Sequence, residues 1–239
     1  MENDTKSRKQ ALLEGIERMQ RLLRAETASE LSVLAPSTAK SGIDVPNGLS
    51  NLLLRDMSIA SMTTESYKEF APDLWASIES EAGGNHVVIE FLSVTAQSEA
   101  EPDTRISRLR IHPVVGLKKS PAWISLETLL DKKALKGAQG LRIDLVSSFD
   151  FGIGMNASQA TSLKLVLRKH HRGQDVGFVD QEIGFVPVTN VPFEHSRVVS
   201  SLFNDGLNPA EFERIILLIL LPVATPYTGN IYHFSVSRI

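Results

Sequence analysis

The chain predicts a mainly β fold, an antiparallel β-sandwich preceded by an N-terminal α-helical segment, and three observations carry that expectation. Ile215 to Leu221 is an unbroken apolar run that stops at Pro222. Proline does not donate to a sheet ladder, and the run falls far short of the roughly 20 apolar residues that span a bilayer, so it reads as a core strand covered on both faces. The chain then resumes at Ile231 with period-2 alternation: Ile231, His233, Ser235 and Ser237 on one face, Tyr232, Phe234, Val236 and Arg238 on the other. This strand is expected to pair with the first and close the sandwich. Short candidate strands also recur from His86 onward with few strand–helix alternations, the pattern of two packed antiparallel sheets rather than a parallel one.

Taken in order, Lys6 to about Arg24 has helical spacing, with Leu12, Ile16, Met19 and Leu23 on one stripe and charged residues elsewhere. Such a stripe either packs on its own domain, self-associates or docks into a larger assembly. Ala35 to Asn51, dense in Pro, Ser, Gly and Asn, reads as a linker. Pro72 suits the start of a short helix through Leu74, Trp75 and Ile78, stopped by Gly83 and Gly84. Strands are expected over 86–95, 105–112, 122–126, 141–148, 162–169, 176–188 and 197–203, the best alternation being Leu163, Leu165 and Leu167 against Lys164, Val166 and Arg168. A helix inserted from the N-cap Ser125 to Gly137 uses Leu129, Leu130 and Leu135 as its apolar contacts. The expected organisation is an attachment helix and linker over 1–50, a connecting helical segment over 51–84 and the β-sandwich over 85–239.

Composition narrows the function. The 239 residues carry 42% hydrophobic residues and a net charge of −3, a globular chain with no broad pull toward nucleic acid. There is no cysteine, which removes disulfide frameworks, thiol nucleophiles and cysteine-ligated zinc. The polar start MENDTKSRKQ lacks the apolar core of a secretory signal, so the chain is expected to be made in the cytoplasm and to remain there, or to leave by lysis or inside a particle.

The order of strands over 141–239 resembles the jelly-roll sandwiches of carbohydrate-binding modules. The resemblance is carried by Leu141-Arg142-Ile143-Asp144-Leu145, by Leu163-Lys164-Leu165-Val166-Leu167, by Glu211-Phe212-Glu213-Arg214-Ile215-Ile216-Leu217-Leu218 and by the closing Tyr232-His233-Phe234-Ser235-Val236. It implies a polysaccharide ligand stacked on solvent-facing Trp or Tyr. The rings available are Trp75, Trp123, Tyr67, Tyr227 and Tyr232. Trp123, at a strand entry, and Tyr227, in a proline-flanked turn, are the expected platforms.

The remaining chemistry is sparse. The six histidines show no HExxH spacing, and no GxSxG, Walker or GxGxxG pattern is present. His170, His171 and Arg172 sit in a basic loop, RKHHRGQD, either a solvated hairpin tip or a contact for an anionic group. The carboxylate pairs Asp144 with Asp150 and Asp180 with Glu182 are the candidates for acid–base glycoside cleavage. No cofactor is implied, although calcium is a candidate at the loop SSFDFGIGMN through Asp150 and Asn156.

The leading expectation is a non-enzymatic glycan-binding protein that oligomerises or docks through its N-terminal helix, as in a spike, fibre or decoration component of a phage-like particle held to capsid or tail proteins. The alternatives are a cytoplasmic accessory domain of polysaccharide synthesis or export, and a glycan-cleaving enzyme.

Overall fold

Strand alternation across the chain resolves into two sheets with their leucine- and isoleucine-rich faces together. The computed structural model describes residues 42–54, 62–64, 67–79, 84–96, 104–116, 121–151, 162–173, 178–203, 206–223 and 226–239. The expected N-terminal helix with Leu12, Ile16, Met19 and Leu23 lies outside the described residues.

In chain order the elements are β1 (Ile43–Asp44), α1 (Gly48–Leu54), β2 (Met62–Thr64), β3 (Lys68–Ala71), β4 (Leu74–Ile78), β5 (His86–Ala96), β6 (Thr104–Val114), β7 (Ile124–Leu129), β8 (Leu141–Asp150), β9 (Ser162–His171), β10 (Phe178–Pro187), β11 (Phe193–Val199), β12 (Phe212–Leu220) and β13 (Thr228–Arg238). The first sheet runs β11-β8-β13-β6-β5-β2, with β1 paired to β13. The second runs β10-β9-β12-β7-β4-β3. All pairings are antiparallel, giving a jelly-roll-like β-sandwich.

The core lies between the sheets. Leu163, Leu165 and Leu167 of β9 and Ile215, Leu217 and Ile219 of β12 are fully buried there, opposite Ile231, Phe234 and Val236 of β13 and Ile143 and Leu145 of β8. The alternation read in β9 is the observed one. Strand β12 is covered on its other face too, where Ile216 and Leu218 join Val166 in a second buried cluster.

Five expectations are corrected. The run 215–221 and the strand after it do not pair: β12 lies in one sheet and β13 in the other, because each has an apolar face that only the opposite sheet covers. The expected face assignment of β13 also shifts, since a register break between Ile231 and His233 turns Ile231 to the same side as Phe234 and Val236. The helix expected after Pro72 is strand β4, hydrogen-bonded to β3 and β7. The helix expected over Ser125–Gly137 is instead β7 followed by turns. Finally, the linker reading fails at its C-terminal end, where Asn47 accepts from the Ser50 amide through Oδ1 at 2.9 Å and caps α1. Leu49 and Leu52 of that helix reach the core.

Candidate functional site

Alternation that turns one face of the second sheet to the core turns the other outward, and that outer face carries charged and aromatic side chains around a small buried cluster. One row runs Glu69, Trp75, Glu127, Leu218, Val166 and Glu182, each directly opposite the next across β3, β4, β7, β12, β9 and β10. The adjoining row is Leu129, Ile216, Arg168 and Asp180, followed by Arg214, His170 and Phe178. From β4 to β10 the face spans four strand steps, about 19 Å at about 4.8 Å per step.

Aromatic rings stand at both ends. Tyr67, 52% exposed, stacks on Trp75 with ring centroids 6.1 Å apart and 9° between planes. Across the sheet, Phe178 is 50% exposed and carries the Arg168 guanidinium over its ring at 3.8 Å, a cation–π contact. Between them Val166, Ile216 and Leu218 form a buried apolar cluster, with Leu129 and Leu220 packed against it.

Charge in this face is held in place. Arg168 donates through Nε and Nη2 to the two carboxylate oxygens of Asp180, both at 2.8 Å, a bidentate fork. That hydrogen bond holds the guanidinium even more firmly protonated than usual, burial opposing it. Lys164 pairs with Glu182 at 2.6 Å. Glu127 is only 4% exposed. Ser125 donates to its Oε1 at 2.8 Å, and Arg168 lies 3.9 Å from its other oxygen. Burial pushes the Glu127 carboxyl above the usual carboxylate range, with Ser125 and Arg168 pulling the other way. Burial also raises the Tyr67 phenol, and the Glu127 charge adds to it.

The residues expected from sequence are dispersed. His170 lies on this face, its ring 5.6 Å from Phe178. His171 turns to the other side against Phe212 at 4.6 Å, and Arg172 is exposed in the following turn, its amide donating to the Glu211 carbonyl at 2.9 Å. Trp123 precedes β7 and is 41% exposed. Tyr227, expected to be exposed, is corrected: it is 4% exposed and packs on Phe149 and Phe151 at 5.7 and 5.4 Å. Gly229 makes room for that seat, because a Cβ there would overlap Phe149.

The first carboxylate pair is too far apart for a catalytic dyad, and both members of the second are ion-paired. Asp144 and Asp150 both lie on β8, about 20 Å apart at about 3.3 Å per residue, well beyond the roughly 5–9.5 Å of glycosidase pairs. Asp144 also takes the Arg142 guanidinium at 2.9 Å. Asp180 and Glu182 each face their own cation. Of the calcium candidates, Asp150 closes β8 and Asn156 lies outside the described residues. Among the described residues no group of three or more His, Asp or Glu is placed to hold a metal, and no helix is long and apolar enough to cross a membrane.

Glu127, Tyr67 and Trp75 are the members of the face that sequence reasoning missed as a group. The signal was period-2 reading of ISLETL and LWASI, which sets Ser125, Glu127 and Leu129 beside Trp75 and Ser77.

No protein-family model matches the chain, and no curated protein does. Among solved structures it is similar to a family 22 xylan-binding domain from Paenibacillus barcinonensis, with TM-score 0.41, 11% identity and coverage of 84% of this chain and 98% of that one. It is also similar to the family 11 carbohydrate-binding module of a cellulosomal cellulase from Clostridium thermocellum (TM-score 0.37, 7% identity, coverage 83% and 97%). A third similar structure is the enzymatically active domain of tailspike protein 4 of bacteriophage CBA120 (TM-score 0.39, 9% identity), where the match covers 70% of this chain and 19% of the other. At these TM-scores no ligand or activity passes from them to this chain.

Proposed function

We propose that the protein is a non-catalytic glycan-binding module whose ligand lies across the outer face of the second sheet. The observation that carries this reading is the pair of adjoining rows, one with the stacked Tyr67–Trp75 pair and Glu127, the other with the Arg168–Asp180 fork. A sugar ring has an apolar C–H face and a rim of hydroxyls. The exposed rings of Tyr67 and Phe178, with Trp75 stacked on the first, suit the apolar face, and ion-paired side chains with fixed donors and acceptors suit the hydroxyls. A face about 19 Å across accommodates several linked sugars.

The assembly role is the finer part of the proposal. Leu12, Ile16, Met19 and Leu23 support oligomerisation or docking, with the module serving as a spike, fibre or decoration component of a phage-like particle that contacts cell-surface polysaccharide. Repetition in such a particle multiplies a weak single-site affinity.

A glycan array probed with the full chain tests the reading, followed by calorimetry on the strongest hit with Trp75→Ala. The expected result is a polysaccharide hit and an affinity loss of about tenfold or more in the variant, about 1.4 kcal/mol. An array without a glycan hit, or Trp75→Ala binding like the parent, would overturn it.

A further inference from the structure

At the foot of the outer face, α1, the β3–β4 turn, the end of β7 and the start of β12 line a half-open cleft of about 370 Å³, with Asn51, Asp73, Leu129, Asp131, Lys132 and Arg214 among its walls and Asp73, Asp131 and Arg214 exposed to solvent. That volume is near the lower end of the roughly 300–1,000 Å³ of small-ligand sites. The cleft is continuous with the face: Leu129 is opposite Ile216, and Arg214 is opposite His170.

The charged walls of this cleft do not meet. Among the described residues, the Arg214 guanidinium, the Asp73 carboxylate and the Asn51 amide make no hydrogen bond or ion pair, although they share one cavity. Lys132 is already committed, donating to the Phe212 and Glu213 carbonyls at 2.9 and 3.3 Å. Asp131 receives the Lys133 amide on Oδ1 at 2.9 Å. The walls are also fixed. Asp73 sits at φ 62, a left-handed conformation that Asp adopts more readily than most residues, and its carbonyl accepts from the Leu129 amide at 2.9 Å. Gly48 packs so closely beneath it that a Cβ there would overlap the Asp73 carbonyl.

A guest filling such a gap must accept from a guanidinium and donate to carboxylates at once. Adjacent hydroxyls do both, whereas a carboxylate or phosphate would meet the three carboxylates Asp73, Asp131 and Glu213 against the two cations Lys132 and Arg214. We propose that the cleft holds the terminal residue of a neutral sugar chain, so that the protein recognises chain ends; this rests on the proposed function of the adjoining face.

Calorimetry on the full chain with di- and hexasaccharides of glucose, xylose, mannose and galactose, and with two length fractions of the polymer of whichever sugar binds, tests it. The expected result is that Asp73→Asn and Arg214→Gln, at unchanged melting temperature, weaken disaccharide and hexasaccharide alike by roughly tenfold. Binding sites per gram of polymer are expected to fall in proportion to chain length, because ends become rarer; this readout needs no variant. If site number tracks polymer mass, and Arg214→Gln binds like the parent while Trp75→Ala does not, end recognition is overturned and the face reading stands. If none of these sugars binds the parent chain, both fall.

Discussion

A carboxylate as buried as Glu127 is costly to ionise, and its environment compensates only in part. One oxygen is bonded to Ser125, while the nearest cation, Arg168, is turned toward Asp180. Burial therefore wins and the folded-state pKa is raised. A group raised in this way favours folding most below the ordinary carboxylate pKa and loses that contribution as pH climbs through the folded value. Glu127→Gln, which keeps the shape and removes the charge, is expected to melt above the parent near pH 7 and level with it near pH 4. Thermal melts across that range check this. A lower melting temperature for the variant at neutral pH would mean that the Arg168 contact outweighs burial. If Glu127 accepts a sugar hydroxyl, the same variant gains stability and loses affinity, the trade expected of a side chain kept for binding.

At the scale of elements, β12 is the clearest case of residue order dictating architecture. Its odd positions, Ile215, Leu217 and Ile219, face the inter-sheet core, and its even positions, Ile216 and Leu218, are buried with Val166 in a smaller cluster on the outer side of the sheet. Leu217→Ala should cost about 2–5 kcal/mol, read by urea denaturation. Leu218→Ala, in the smaller cluster, should cost less. Equal losses of stability would show the two faces to be packed alike. The unbroken apolar run made this strand legible in the sequence, as did strict alternation for β9. The site was less legible because its strands carry double signals: Leu74, Trp75 and Ile78 suit a helical face as well as Leu74, Ala76 and Ile78 suit a strand face, and Leu126, Leu129 and Leu130 repeat the ambiguity in β7. Only pairing with neighbours decides such segments, through Trp75 opposite Glu127 and Glu127 opposite Leu218. The opposite-sheet placement of β12 and β13 was hidden for a related reason, since adjacency in sequence favours a hairpin and says nothing about which faces need covering.

For the whole molecule, the described chain joins the sandwich well before the expected boundary at residue 85. Strand β1 pairs with the end of β13, Ile43 opposite Arg238 and Asp44 opposite Ser237. The Val45 amide donates to the Val236 carbonyl at 2.7 Å. Val45, Leu49 and Leu52 are core residues, and the Ser50 hydroxyl donates to the Phe234 carbonyl at 2.9 Å. The sandwich therefore draws on the chain from Gly42 onward, and a cut after Ser50 would strip β1 and open the core at Leu49, a loss of at least the roughly 2–5 kcal/mol of a large-to-small core change. Removing residues 1–41 instead leaves every one of these contacts in place. That shorter deletion is expected to keep the parent melting temperature and glycan affinity and to lose self-association or particle docking, measured by light scattering and co-sedimentation. The longer deletion is expected to melt well below it. Self-association that is the same with and without residues 1–41 would exclude Leu12, Ile16, Met19 and Leu23 as its interface, and equal melting of the two deletions would exclude β1 and α1 from the cooperative core.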